Sequence, residues 1–164
     1  MATPRPAPWI RRARCGDAAA LTRIAHAAKR YWGYPEALIE LWSADLTVSG
    51  EFVDAHPVYC AVRGSDVLAF YALSRSADVV ELEHMWVAPA HLGNGLGTRL
   101  FEHAIATARS LGGSLLRIES DPNAEGFYRR MGARRIGEVA ARPRGRVLPL
   151  MIFDLGAPDG NSAA

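Results

Sequence analysis

The sequence predicts an α/β sandwich, a mixed sheet with helices on both faces in the order βααβββαβαββ. Three observations lead there. Apolar residues switch repeatedly between the helical period of 3.6 and the strand period of two. A strand-like run, Val79 to Val87, passes through a glycine-rich loop into the strongest helical stretch of the chain. Strand and helix signals then alternate to the end, which sets helices against a sheet instead of in a separate bundle. At 164 residues, 49% of them hydrophobic, the chain fits one domain with its own core.

The elements follow in order. Met1 to Pro8 alternates Pro and Ala; it reads as a flexible lead and lacks the apolar centre of a signal peptide. Trp9 to Ala13 begins a strand. Asp17 is placed to cap a helix over Ala18 to Tyr31, where Leu21, Ile24, Ala25 and Ala28 form one stripe. Tyr31-Trp32-Gly33-Tyr34-Pro35 interrupts it. Pro35 then suits the first turn of a second helix through Leu38, Leu41 and Trp42 toward Leu46. A short helix is expected around Gly50 to Ala55. Val58–Val62 and Val67–Leu73 flank the turn Arg63-Gly64-Ser65-Asp66, and Val79–Val87 is a third strand after a loop from Ser74 to Asp78. Thr98 to Leu111 presents Leu100, Phe101, Ala104, Ile105, Ala108 and Leu111 on one broad face, with Gly112 to stop it. Leu115 to Ser120 is a strand. Asp121-Pro122 opens a helix through Phe127 and Met131, ended by Gly132. Strands at Ala133–Val139 and Val147–Phe153 close the order, so that residues 9–155 form one domain and a disordered tail begins at 156.

Composition narrows the function. Cys15 and Cys60, the two cysteines, make neither a disulfide framework nor a CxxC zinc pair, and both read as buried structural thiols. His26, His56, His91 and His103 stand singly without ligand spacing, so no metal is expected. No apolar run nears the roughly 20 residues of a membrane span. A soluble cytoplasmic protein with no membrane partner is the expectation. The formal charge of +2 is too small to indicate nucleic acid. Its distribution is uneven: residues 1–128 hold 12 basic and 14 acidic side chains, residues 129–164 hold 7 and 3. A basic end of this kind suits phosphate or carboxylate.

The segment Val87-Ala88-Pro89-Ala90-His91-Leu92-Gly93-Asn94-Gly95-Leu96-Gly97 carries the chemistry. Alternate glycines let the backbone approach a ligand, and the free N–H groups and dipole of the following helix favour an anion such as a diphosphate. A dinucleotide-binding loop would read G-x-G-x-x-G directly at the strand end. Here the glycines alternate and Ala88 to Leu92 intervene. The segment resembles motif A of the GCN5-related N-acetyltransferases, [QR]-x-x-G-x-[GA] preceded by V-x-P. Downstream, Asp121-Pro122-Asn123-Ala124-Glu125-Gly126-Phe127-Tyr128-Arg129-Arg130-Met131-Gly132-Ala133 resembles that family's motif B, N-x-x-A-x-x-[FL]-Y-x-x-x-G-F. Leu92 stands where Gln or Arg is usual, Asp121 where Asn is common, and Ala133 where an aromatic is usual.

The resemblance implies a mostly antiparallel sheet and acetyl-CoA as cosubstrate. It places the coenzyme on Val87, Leu92, Gly93, Asn94, Gly95, Leu96, Gly97 and Thr98, with Asn123 or Asp121 and Tyr128 near it. The implied reaction moves an acetyl group to a primary amine by direct attack in a ternary complex. Such an amine, of pKa near ~10.4, is protonated at neutral pH and needs a base. Relatives place that base at the position of Glu83 or of Glu81; Glu83 is preferred, with His84 a third candidate and Glu119 a fourth. Leu82, Met85 and Val87 share a face only if a β-bulge falls near Glu83-His84. Tyr128 is the candidate general acid for the leaving thiolate. The loops Tyr31–Pro35 and Ala140–Arg146 would shape the acceptor side, the first by stacking on an amine and the second through Arg142, Arg144 and Arg146. An acyl-CoA-binding domain without turnover and a dinucleotide-binding protein are the alternatives, and a homodimer stays open.

Overall fold

The computed structural model describes residues 2–157; the expected tail from 158 on lies outside them. Seven strands form a mostly antiparallel sheet flanked by helices, in the order β1-β2-β3-β4-β5-β7-β6. These are β1 (Trp9–Arg12), β2 (Val58–Arg63), β3 (Asp66–Ser76), β4 (Val79–Val87), β5 (Leu115–Glu119), β6 (Arg134–Ala141) and β7 (Arg146–Asp154). The helices are α1 (Ala18–Tyr31), α2 (Glu36–Leu41), α3 (Ser43–Leu46), α4 (Gly50–Ala55), α5 (Leu96–Ser110) and α6 (Glu125–Arg130). The β4–β5 pair is parallel, whereas β1–β2, β2–β3, β5–β7 and β6–β7 are antiparallel. A dinucleotide fold would carry a mostly parallel sheet.

The chain divides into two compact units, one built from residues up to Ala72 with His84–Phe101, the other from Leu73–Glu83 with Glu102 onward. In the first, Gly64 (φ +59°) and Ser65 form a two-residue turn that sets Arg63 opposite Asp66. From Leu68 to Leu73 every residue of β3 is buried, the signature of a strand covered on both faces. Leu21 and Ile24 of α1 join Val53, Val58, Cys60, Val62 and Phe70 in one core, while Ala25, Ile39, Trp42 and Leu46 make a second cluster. Burial pushes the Cys60 thiol up to about 11, helping to keep it inert.

Several expectations change here. Asp17 makes no side-chain cap on α1. Its carboxylate accepts from Arg11 (2.8 and 3.0 Å) and from the Arg14 N–H (2.8 Å), closing the turn before the helix. Cys15 lies in that turn and is exposed, not buried. The second helix breaks at Trp42, whose backbone (φ −91°, ψ 4°) leaves the α region as its ring packs edge-on to Tyr34. The expected flexible lead is held by two arginines, Arg63 bonding the Pro6 carbonyl and Arg99 that of Pro8, each at 3.0 Å.

In the second unit Leu116 and Ile118 of β5 are buried, and alternation turns Arg117 and Glu119 to the other face. β5 pairs with β7 over its whole length, Leu115 opposite Asp154 and Glu119 opposite Leu150. Its pairing with β4 covers Val79–Leu115, Val80–Leu116 and Glu81–Arg117, although both strands continue. β3 reaches Ser76, which places Ser74 in a strand and not in the loop that its polar neighbours suggest.

Candidate active site

The glycine loop belongs to the first unit. β4 ends at Val87, the Ala88 N–H donates to the Leu68 carbonyl (2.8 Å), and Pro89–His91 make one 3₁₀ turn. Gly93 (φ +76°) and Gly95 (φ +82°) both hold left-handed backbone, and a Cβ on either would meet nothing within 4 Å. The glycines are therefore needed for conformation, and the space beside them is open. Asn94 Oδ1 accepts from the Leu96 N–H (3.3 Å), and Arg99 N–H to Gly95 C=O (3.1 Å) starts the ladder of α5. Buried Leu96 and Leu100 anchor this end of the helix. α5 begins two residues before the expected Thr98, so Gly97 and Thr98 lie in its first turn, where N–H groups have no carbonyl a turn behind them. A helix of 15 residues springing from such a loop presents a partial positive charge suited to phosphate. Leu92 is exposed and offers no polar anchor, leaving the backbone as the donor.

The candidate bases separate by environment. Arg117 Nη1 lies 3.1 Å from Glu81 Oε2 and 3.2 Å from Glu119 Oε1, so one guanidinium holds two carboxylates. Partial burial lowers the Arg117 pKa, and its hydrogen bonds and charge contacts with Glu81 and Glu119 outweigh this, leaving it raised. Glu83 is exposed and accepts a short hydrogen bond from the Ser74 hydroxyl. At His84, the Trp86 indole, which can only donate, gives its N–H to Nδ1 (3.1 Å). That bond uses the one ring lone pair of a neutral histidine. Phe52 and Phe70 pack against the same ring.

Tyr128 is buried in α6, and burial first, then the nearby charge of Asp121, raises its pKa above the ordinary tyrosine value. Its hydroxyl therefore keeps its proton at neutral pH. Asp121 and Asn123 play different parts. Asp121 Oδ1 accepts from both the backbone and the side-chain amide of Asn123 (2.9 Å each), and its Oδ2 lies 3.5 Å from Arg146. The Asp121 carboxylate is almost fully covered, whereas Asn123 is exposed. Arg146, expected on an acceptor rim, is thus turned to Asp121; Arg142 and Arg144 are exposed.

The aromatic loop encloses a cation of the protein itself. Buried Lys29 places Nζ 4.6 Å from the ring centroid of Trp42, 5.0 Å from Tyr34, 5.5 Å from Trp86 and 6.0 Å from Trp32. Sequence reasoning passed over Lys29, Arg117 and Ser74. A lone lysine one turn before an aromatic cluster was the available signal for the first; the other two are visible only once strands are paired.

Comparison with known proteins agrees with this arrangement. Residues 19–133 match the model of the acetyltransferase (GNAT) family. The chain is 36% identical over 88 residues to streptothricin acetyltransferase of Streptomyces lavendulae, covering 51% of this chain and 47% of that protein. It thus spans about half the length of that curated relative. A GCN5-related N-acetyltransferase from Rhodopseudomonas palustris superposes with a TM-score of 0.75 at 18% identity, over 94% of this chain and 99% of that one. The PaiA N-acetyltransferase of Thermoplasma acidophilum, solved with coenzyme A, gives 0.74 at 17% identity, over 91% and 99%. Among the described residues no helix is long and apolar enough to cross a membrane, and no group of three or more His, Cys, Asp or Glu side chains is placed to hold a metal ion. With the family model covering most of its length, the chain belongs to the GNAT acetyltransferase family.

Proposed function

We propose that residues 9–155 act as an acetyl-CoA-dependent N-acetyltransferase whose acceptor is a primary amine, on a small molecule or a protein. The open glycine cradle at the N-terminus of α5 carries the reading. Backbone N–H groups within the Gly93–Thr98 segment would hold the coenzyme's pyrophosphate, and a protein of the same fold solved with coenzyme A supports this reading. The free thiols Cys15 and Cys60 suit a reducing cytoplasm.

Glu83 is the base we assign. It faces a neutral hydroxyl, whereas Glu81 is paired with the Arg117 guanidinium. Glu83 accepts a proton from the acceptor's ammonium, directly or through water, as an N–H bond breaks and an O–H bond forms. The freed nitrogen lone pair attacks the thioester carbonyl; the C–S bond breaks and sulfur leaves with the pair. The nitrogen loses a second proton, and one proton is taken up by sulfur. Tyr128 supplies the hydrogen bond to that sulfur. Full transfer from a tyrosine above pKa ~10 to a thiolate near ~8.5 is uphill by at least about 2 kcal/mol, so its hydroxyl stabilises the thiolate chiefly as a donor, any transferred proton being restored from the nitrogen. Burial, and then the charge of Asp121, raises the pKa of that phenol, and the same carboxylate holds the Asn123 amide.

Calorimetric titration separates the alternatives. Coenzyme A is expected to give a heat of binding, with NAD and NADP showing none. Affinity for a dinucleotide without affinity for coenzyme A would reverse the assignment.

A further inference from the structure

We infer that Ser74 is the positioning residue of the base, holding the Glu83 carboxylate in one orientation for proton acceptance. The inference rests on the reading of Glu83 as that base. Glu83 is exposed on β4, and a free glutamate there would sample many rotamers, an entropy cost that any productive orientation must meet. The half-buried Ser74 hydroxyl on β3 meets Oε1. An ionised carboxylate only accepts, so the serine donates, and the second carboxylate oxygen remains for the incoming proton.

Two arginines of the adjoining strands have other partners. Arg75, next to Ser74, directs Nε to the Ala77 carbonyl (2.6 Å) and Nη1 to the Leu111 carbonyl, anchoring itself on backbone. Arg117 is shared by Glu81 and Glu119. Glu83 is thus oriented by a neutral donor, which restrains it without adding a cation that an incoming ammonium would have to meet. Two glutamates separated by one residue on the same strand are assigned different tasks by their partners, a guanidinium for Glu81 and a hydroxyl for Glu83.

The test is a double-mutant cycle on the full chain with acetyl-CoA and its best amine acceptor. Ser74→Ala is expected to lower kcat about tenfold, roughly the worth of one hydrogen bond to a charged group, with KM for acetyl-CoA within about twofold of wild type. Ser74→Thr, which keeps the hydroxyl, restores most of the rate; Ser74→Cys, of similar size with a weak donor, behaves like alanine. In a Glu83→Gln background, Ser74→Ala adds no further loss, because the group it orients no longer accepts the proton. Wild-type kcat in Ser74→Ala alongside a large loss in Glu83→Gln overturns the role of Ser74 and keeps Glu83. Additive losses in the double variant also overturn it, since they mark a merely structural serine. Undiminished turnover in Glu83→Gln removes the reading of Glu83 itself. If Ser74→Ala fails to fold, the Thr and Cys variants decide by the same comparison.

Discussion

Lys29 points its ammonium at the ring of Trp42, 4.6 Å from the centroid, inside a box completed by Trp32, Tyr34 and Trp86. Lysine occurs once in the chain, and three of its four tryptophans stand around that one. The box joins the end of α1, the loop after it, the end of α2 and the end of β4 through a single cation.

Replacing Lys29 by methionine keeps the apolar stem and deletes the charge. A desolvated cation–π contact contributes about 1–2 kcal/mol, so Lys29→Met should lower the urea midpoint by a corresponding amount and shift the tryptophan emission. An unchanged midpoint would mean that the charge adds nothing beyond packing.

Gly95 sits at φ +82° with open space beside it. Any side chain there strains the backbone by about 1–2 kcal/mol, and a carboxylate adds a like charge to the phosphate cradle. Gly95→Glu should abolish coenzyme A binding in calorimetry, while Gly95→Ala, which shares the strain without the charge, keeps measurable affinity. Equal affinities in the two would remove the phosphate from this loop.

Glu81 is bound to Arg117 at 3.1 Å, with about a third of each side chain still exposed. A pair this accessible contributes at most about 1 kcal/mol. Glu81→Gln is therefore expected to fold normally and to keep kcat within about threefold of wild type in a steady-state assay. A loss as large as that of Glu83→Gln would exchange the two roles.

Tyr128 has a raised pKa in the folded protein because burial, and then Asp121, disfavour its phenolate. The stability this proton confers is complete below the unfolded value near ~10 and is lost as pH climbs through the folded value. Between about pH 9 and about pH 11 the wild type should lose more stability than Tyr128→Phe, read from urea midpoints. The same variant should lower kcat by about 10²-fold with coenzyme affinity little changed. Parallel alkaline losses would show that Tyr128 is not the group that titrates.

The elements most legible in the sequence were those whose pattern is local. The stripe Leu21, Ile24, Ala25 and Ala28 is buried as its spacing requires, and the continuous apolar run of β3 is a covered strand. The glycine loop could be read because its left-handed backbone at Gly93 and Gly95 is what glycines announce, although α5 starts at Leu96 and not at the expected Thr98. Where tertiary contacts decide, the reading stopped. Asp17 could not be seen to prefer Arg11 over the helix, nor Trp42 to break its helix by packing against Tyr34. The partners of Glu81 and Glu83 depend on which strands lie side by side, and that information is distributed over the whole chain.

The central claim is acetyl transfer, and release of free thiol from acetyl-CoA in the presence of an amine panel tests it most directly. The account predicts acceptor-dependent thiol release by the wild type, reduced about 10²-fold or more in Glu83→Gln at unchanged coenzyme affinity. Coenzyme A binding with no thiol release for any amine, at any pH tested, would contradict it and leave a domain that binds the coenzyme without turning it over.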